Sequence, residues 1–90
     1  MRDSTTVTVT LVYLARLREA FGRAGEPLEV SGPTTVAALL ETLRARGGPW
    51  ASELAAGRAV RVAVNHDLAT PASAVAPGDE VALFPPVTGG

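Results

Sequence analysis

The sequence predicts an α+β domain, a small mixed sheet of about five strands with one main helix packed across it. Three observations carry this. The chain opens on an alternating stretch, with Val7, Val9, Leu11 and Tyr13 on one side and Thr6, Thr8, Thr10 and Val12 on the other. That is the period of a half-buried strand, in β-branched residues that suit one. Its middle holds Val36, Leu39, Leu40 and Leu43, an apolar stripe at helical spacing. It closes with Glu80-Val81-Ala82-Leu83-Phe84 and then Pro85-Pro86, a last strand stopped by two residues that cannot donate to a ladder.

The first strand runs over Thr5–Tyr13, and Met1–Ser4 are expected to be loose. From Leu14 to Phe21 the period changes: Leu14, Leu17 and Phe21 share a helical face, with Arg16, Arg18 and Glu19 elsewhere. Gly22 and Gly25 read as the end of that helix, and Leu28–Ser31 as a second, short strand. Ser31-Gly32-Pro33-Thr34-Thr35 is a turn that feeds the main helix, with Thr34 or Thr35 as its N-cap. The apolar stripe runs on through Arg46, and Gly47-Gly48-Pro49 stops it. Trp50–Ala56 reads as a short helical turn that tucks Trp50 and Leu54 under the sheet. Val60–Val64 is a strand, Asn65-His66-Asp67 a tight turn, and Leu68-Ala69-Thr70 a short edge strand. Ala76-Pro77-Gly78-Asp79 is a turn signal before the last strand. Strand, short helix, strand, long helix, strand, short strand, strand is a β-grasp-like order.

Ninety residues make one domain, 1–90, with 85–90 as a projecting C-terminal tail. A chain of this size buries only about 60–65% of its unfolded surface, enough for one modest core and little room for an enclosed active site. Cysteine is absent, which excludes disulfides, thiolate metal sites and thiol nucleophiles. Lysine is absent too, all 8 cations being Arg, so no Schiff-base or phosphate-loop lysine exists. A net charge of −1 offers no basic field for nucleic acid. No apolar run approaches the ~20 residues of a membrane span and the N-terminus has no apolar signal region. The expectation is a cytoplasmic protein that binds neither membrane nor nucleic acid, nor any metal or cofactor of its own.

No catalytic constellation emerges. His66 is the only histidine and has no Cys or second His to join it, whereas histidine chemistry works in constellations. Asp79 reads as a turn residue, Trp50 as a core or satellite anchor, and Arg16 and Arg18 as solvated charges or contacts to an acidic partner. On its own the chain is not expected to be an enzyme.

The tail is different. After Pro85-Pro86, which favour a stiff extended backbone, come Val87, Thr88, Gly89 and Gly90. A segment without Cβ can thread a channel too narrow for other residues. The Gly90 carboxylate would be the working group at its tip. A carboxylate must be activated, for instance as an acyl-adenylate, and this chain has no nucleotide loop. Another protein must therefore charge it, which describes a carrier.

On Leu11-Val12-Tyr13-Leu14-Ala15-Arg16-Leu17-Arg18-Glu19, Val62-Ala63-Val64-Asn65 and the ending Gly78-Asp79-Glu80-Val81-Ala82-Leu83-Phe84-Pro85-Pro86-Val87-Thr88-Gly89-Gly90, the chain resembles the small subunits of molybdopterin synthase. These belong to the ubiquitin-like sulfur carriers, which also include the thiamine-pathway carriers. The resemblance implies a ubiquitin-like β-grasp and a chain charged at Gly90. An ATP-dependent, E1-like enzyme adenylates the carboxylate and a sulfur donor converts it to a thiocarboxylate. The tail from Pro85 through Pro86, Val87, Thr88 and Gly89 then enters the large synthase subunit. There sulfur passes to cyclic pyranopterin monophosphate, in a heterotetramer whose active site lies on the large subunit. By resemblance Leu14, Leu68 and Phe84 form the hydrophobic docking patch, with ordinary core packing as the alternative for each. Other readings are a carrier for thiamine, cysteine or tungsten-cofactor synthesis, a ubiquitin-like modifier joined through Gly90, and a plain β-grasp interaction domain.

Overall fold

The computed structural model describes residues 6–31, 33–55 and 57–86, with side chains from Thr8 onward. The elements follow in the order β1 (Thr6–Tyr13), α1 (Ala15–Phe21), β2 (Gly25–Ser31), β3 (Thr34–Thr35), α2 (Val36–Arg44), α3 (Gly48–Glu53), β4 (Arg61–Val64), β5 (Asp67–Leu68), β6 (Ala74–Val75) and β7 (Glu80–Phe84). Five strands form a mixed sheet in the order β2-β1-β7-β4-β5, and β3 and β6 form a separate two-stranded ladder. β1 and β7, the first and last strands, are parallel neighbours in the middle of the sheet, while the other pairings are antiparallel. This is the predicted α+β arrangement, a β-grasp.

Alternation along the strands builds the core. Val9, Leu11 and Tyr13 of β1, Val62 of β4, and Val81 and Leu83 of β7 are buried on one face. They join Val36, Leu39 and Leu43 of α2, Leu17 and Phe21 of α1, and Leu54 in a single cluster. Phe21 stacks on Trp50 with ring centroids 3.9 Å apart, and Tyr13 meets both rings edge-on. Such pairs add about 0.5–1.5 kcal/mol beyond the area they bury. Arg46 lies over the Trp50 ring at 4.4 Å, so the indole is a satellite of the core, as predicted.

The caps explain the helix ends. Gly22 adopts a left-handed φ of 73° and its N–H donates to the Arg18 carbonyl, a C-terminal cap that suits glycine. Thr35 is the N-cap of α2, its hydroxyl accepting from the Ala38 N–H at 3.2 Å. Two further first-turn donors, Val36 and Ala37, reach the Ser73 and Pro71 carbonyls.

Local readings change at several points: α3 spans Gly48–Glu53 rather than Trp50–Ala56, with Pro49 inside its first turn, and β5 is Asp67–Leu68 rather than Leu68–Thr70. Leu14 is not part of the α1 face: its N–H donates to the Leu83 carbonyl at 3.1 Å, so the sheet claims it and it stays extended. Gly25 does not end α1. It begins β2, where a Cβ would collide with the Leu11 carbonyl oxygen. The main helix stops at Arg44 rather than Arg46. The β3–β6 ladder was not foreseen; two-residue strands carry too little period to read.

Candidate functional site

The root of the tail is set by β7, which sits between β1 and β4 and ends at Phe84. Val81 and Leu83 point into the core, so Ala82 and Phe84 point to the opposite face of the sheet. No helix of the core cluster covers that face. The Leu14–Leu83 hydrogen bond extends the parallel β1–β7 pairing by one residue and brings Leu14 beside Phe84. One row further down, the pairings Val12↔Ala82, Ala82↔Ala63 and Ala63↔Leu68 run across four strands. The open face thus carries an apolar belt of Val12, Ala82, Ala63 and Leu68, with Leu14 and Phe84 above it at the tail end. Leu68 is 71% exposed and Leu14 44% exposed, the two exposed large hydrophobic residues among those described; Phe84 is half-buried. The structure therefore gathers the three predicted docking residues on one face.

Beyond Phe84, Pro85 and Pro86 line a cleft of about 280 Å³ together with Arg16 and Leu17 of α1, Glu53 of α3 and Arg58. Glu53 bridges Arg16 and Arg58, each at 3.0 Å. Arg16 is thus a solvated charge, as read, that also has a partner within the chain. The bridge ties α1, the end of α3 and the segment before β4 together at the tail root. Exposed ion pairs contribute little each, about 0–1 kcal/mol, so its effect is positional. Nothing in the sequence marked Glu53 or Arg58, because their partnership depends on packing between distant segments. The alternation of β1 had already set Val12 on the side away from Val9, Leu11 and Tyr13, whereas Ala63 and Ala82 were not singled out, although the same alternation in β4 and β7 could have placed them.

Val87, Thr88, Gly89 and Gly90 lie outside the described residues. His66 sits in the β4–β5 turn, strongly exposed, with Nε2 3.9 Å from a Glu80 carboxylate oxygen. Asp79 is a turn clamp: its carboxylate accepts from the Ala76 N–H at 2.8 Å and from the Asn65 amide at 3.0 Å. Those bonds, the Ala76 one foremost, hold its carboxyl below the usual range. Among the described residues no group of three or more His, Cys, Asp or Glu is placed to hold a metal ion. No described helix is long and apolar enough to cross a membrane.

A model of the ThiS family matches residues 11–90, from the last three residues of β1 through the tail. The chain belongs to the ThiS family. Among curated relatives, the molybdopterin synthase sulfur carrier subunit of Haemophilus influenzae is 40% identical over 82 residues, covering 91% of this chain and 99% of that protein. This ThiS-family chain also superposes on the solution structure of the Haloferax volcanii HVO 2177 protein, with a TM-score of 0.84 and 30% identity, over 100% of this chain and 92% of that one. The crystal structure of SAMP1 from the same organism gives a TM-score of 0.77 at 32% identity, over 92% of this chain and 99% of that one. The resemblance read from the motifs thus extends over nearly the whole domain.

Proposed function

We propose that this ThiS-family chain is the sulfur-donating small subunit of molybdopterin synthase. Gly90 is the working residue. An E1-like enzyme spends ATP to adenylate its carboxylate, and a sulfur donor displaces AMP to leave a terminal thiocarboxylate. The chain supplies nucleophilic sulfur without a cysteine of its own and binds no cofactor. Pro85, Pro86, Val87, Thr88 and Gly89 carry the charged end into the large subunit, where the chemistry on cyclic pyranopterin monophosphate takes place. Leu14, Leu68 and Phe84 seat the partner. The single observation that supports this best is the position of the tail root. It leaves the sheet at the upper edge of an exposed apolar face, so a protein that covers the face is already placed to receive the tail. Burying a large apolar side chain such as Leu68 contributes about 1.5–3 kcal/mol.

The test is the intact mass of the chain from its own cells, or after incubation with its activating enzyme, ATP and a sulfur source. The expected shift is the replacement of one oxygen by sulfur, lost when Gly90 is deleted. No shift under conditions that charge a related carrier would overturn the reading. The likeness to SAMP1, by name a small archaeal modifier protein, supports a second reading, a modifier joined through Gly90 to lysines of other proteins. Higher-mass adducts that depend on Gly90 would favour it.

A further inference from the structure

The open face is charged at both ends, and with opposite sign. Arg61 stands across from Phe84 at the tail end. It is exposed, and among the described residues it makes no ion pair. At the other end Glu80 pairs with Thr10, and Glu29 with Thr8. Both acids alternate with buried residues, Val81 and Leu28, and so point to the open side. Between the two ends lies the belt of Val12, Ala82, Ala63 and Leu68. The Phe84 row lies four residue steps along β7 from the Glu80 row, about 13 Å at the usual strand rise. That exceeds the screening length of about 8 Å in physiological salt, so each end acts on whatever lies directly above it.

We infer that the protein covering this face carries acidic side chains where it meets Arg61 and basic side chains where it meets Glu29 and Glu80. Charge then sets which way the partner lies along the strands. The inference rests on the docking reading above and deepens it. The belt of Val12, Ala82, Ala63 and Leu68 runs across the strands, with Leu14 and Phe84 beyond it at the tail end alone; the charges reinforce that asymmetry, and only one direction puts the partner's receiving site over Phe84 and Pro85. A second copy of this chain laid antiparallel would also match the charges. It would bring neither cysteine nor lysine to the tail, however, and so has no means of charging or discharging it.

The experiment measures association of the full chain with the large synthase subunit of the same organism, at low and high salt. The variants are Arg61→Glu, Arg61→Gln, the pair Glu29→Lys with Glu80→Lys, and Leu68→Asp, each checked first by thermal melting. Arg61→Glu and the paired acid reversal are expected to slow association about tenfold at low salt, with a smaller deficit at high salt. Arg61→Gln is expected to fall between wild type and Arg61→Glu. Leu68→Asp is expected to abolish binding at every salt concentration. If the charge variants bind like wild type while Leu68→Asp fails, the face docks the partner but charge does not orient it, and the inference is overturned. If Leu68→Asp binds normally, the docking reading itself fails. A dimer of the free chain in sedimentation, dispersed by Leu68→Asp, would assign the face to a second copy and also overturn the inference.

Discussion

The Tyr13 hydroxyl donates to the Glu26 carboxylate at 2.6 Å. The same carboxylate accepts from Arg46 at 2.8 Å and from Arg23 at 3.1 Å. One acid on β2 therefore joins the core strand β1 to the segment just beyond α2. Burial pushes the Tyr13 hydroxyl up, and the Glu26 bond pushes it further. For Glu26, burial alone would raise the carboxyl, but the hydrogen bonds from Arg46 and Tyr13, with the charges of Arg46 and Arg23, outweigh it and hold the group low. Tyr13→Phe removes a bond to a charged acceptor and is expected to cost about 1.5–3 kcal/mol in chemical denaturation.

The pH dependence follows from the same site. The folded pKa of Glu26 lies below its ordinary value of 4.5, so the unfolded chain takes up this proton first as pH falls. The stabilisation is fully present above that ordinary value and is lost as pH drops through the folded one. Acid titration of stability is expected to be shallower in Glu26→Gln than in wild type over that window, with the two profiles parallel above it. Equal slopes throughout would show that Glu26 carries no linkage.

Gly25 tests the backbone packing of β1 against β2. A Cβ there meets the Leu11 carbonyl oxygen, which belongs to the central strand and cannot swing aside. Gly25→Ala is expected to cost about 1–3 kcal/mol, whereas Gly57→Ala meets no neighbouring atom and pays only for its left-handed φ of 96°. Thermal melting of the two variants separates collision from backbone strain.

The β4–β5 turn offers a stabilising change. Asn65 and His66 both have positive φ, 52° and 75°, which a two-residue hairpin turn of this hand requires. Asn65 suits its position and also works: its amide donates to Asp79 and its carbonyl accepts from the Glu80 N–H at 2.9 Å. His66 has no comparable task, and a left-handed residue with a Cβ costs about 1–2 kcal/mol. His66→Gly is expected to raise stability by up to about 1 kcal/mol, after the entropy cost of glycine; Asn65→Ala is expected to lower it. A His66→Gly variant less stable than wild type would assign the imidazole a contact with Glu80 that matters.

What the sequence discloses follows the length of each signal. β1 offers eight residues of alternation and α2 a sustained apolar stripe, so both were legible, as were the caps at Gly22 and Thr35. β3 and β6 are two residues each and leave no periodic trace. Gly25 was misread because a helix end and a close strand approach both select glycine. At the candidate site, motif and resemblance pointed to Leu14, Leu68 and Phe84, but only the register shows that they share a face. The bridge from Glu53 to Arg16 and Arg58 spans segments whose meeting the chain order does not announce.

Leu14 and Leu17 give the sharpest contrast. They stand three residues apart where periodicity assigned them one helical face, yet Leu17 is 1% exposed and Leu14 is 44% exposed. Leu17→Ala removes packed core volume and is expected to cost about 2–5 kcal/mol. Leu14→Ala empties no cavity, and its melting temperature is expected to match wild type. On the docking proposed above, binding to the large synthase subunit is expected to reverse the order. Leu14→Ala loses apolar contact beside Phe84 and weakens affinity roughly tenfold, since about 1.4 kcal/mol is a factor of ten. Leu17→Ala, assayed where it remains folded, keeps the open face and binds normally. A Leu14→Ala variant that melts lower and binds normally would return Leu14 to the core and remove it from the docking face.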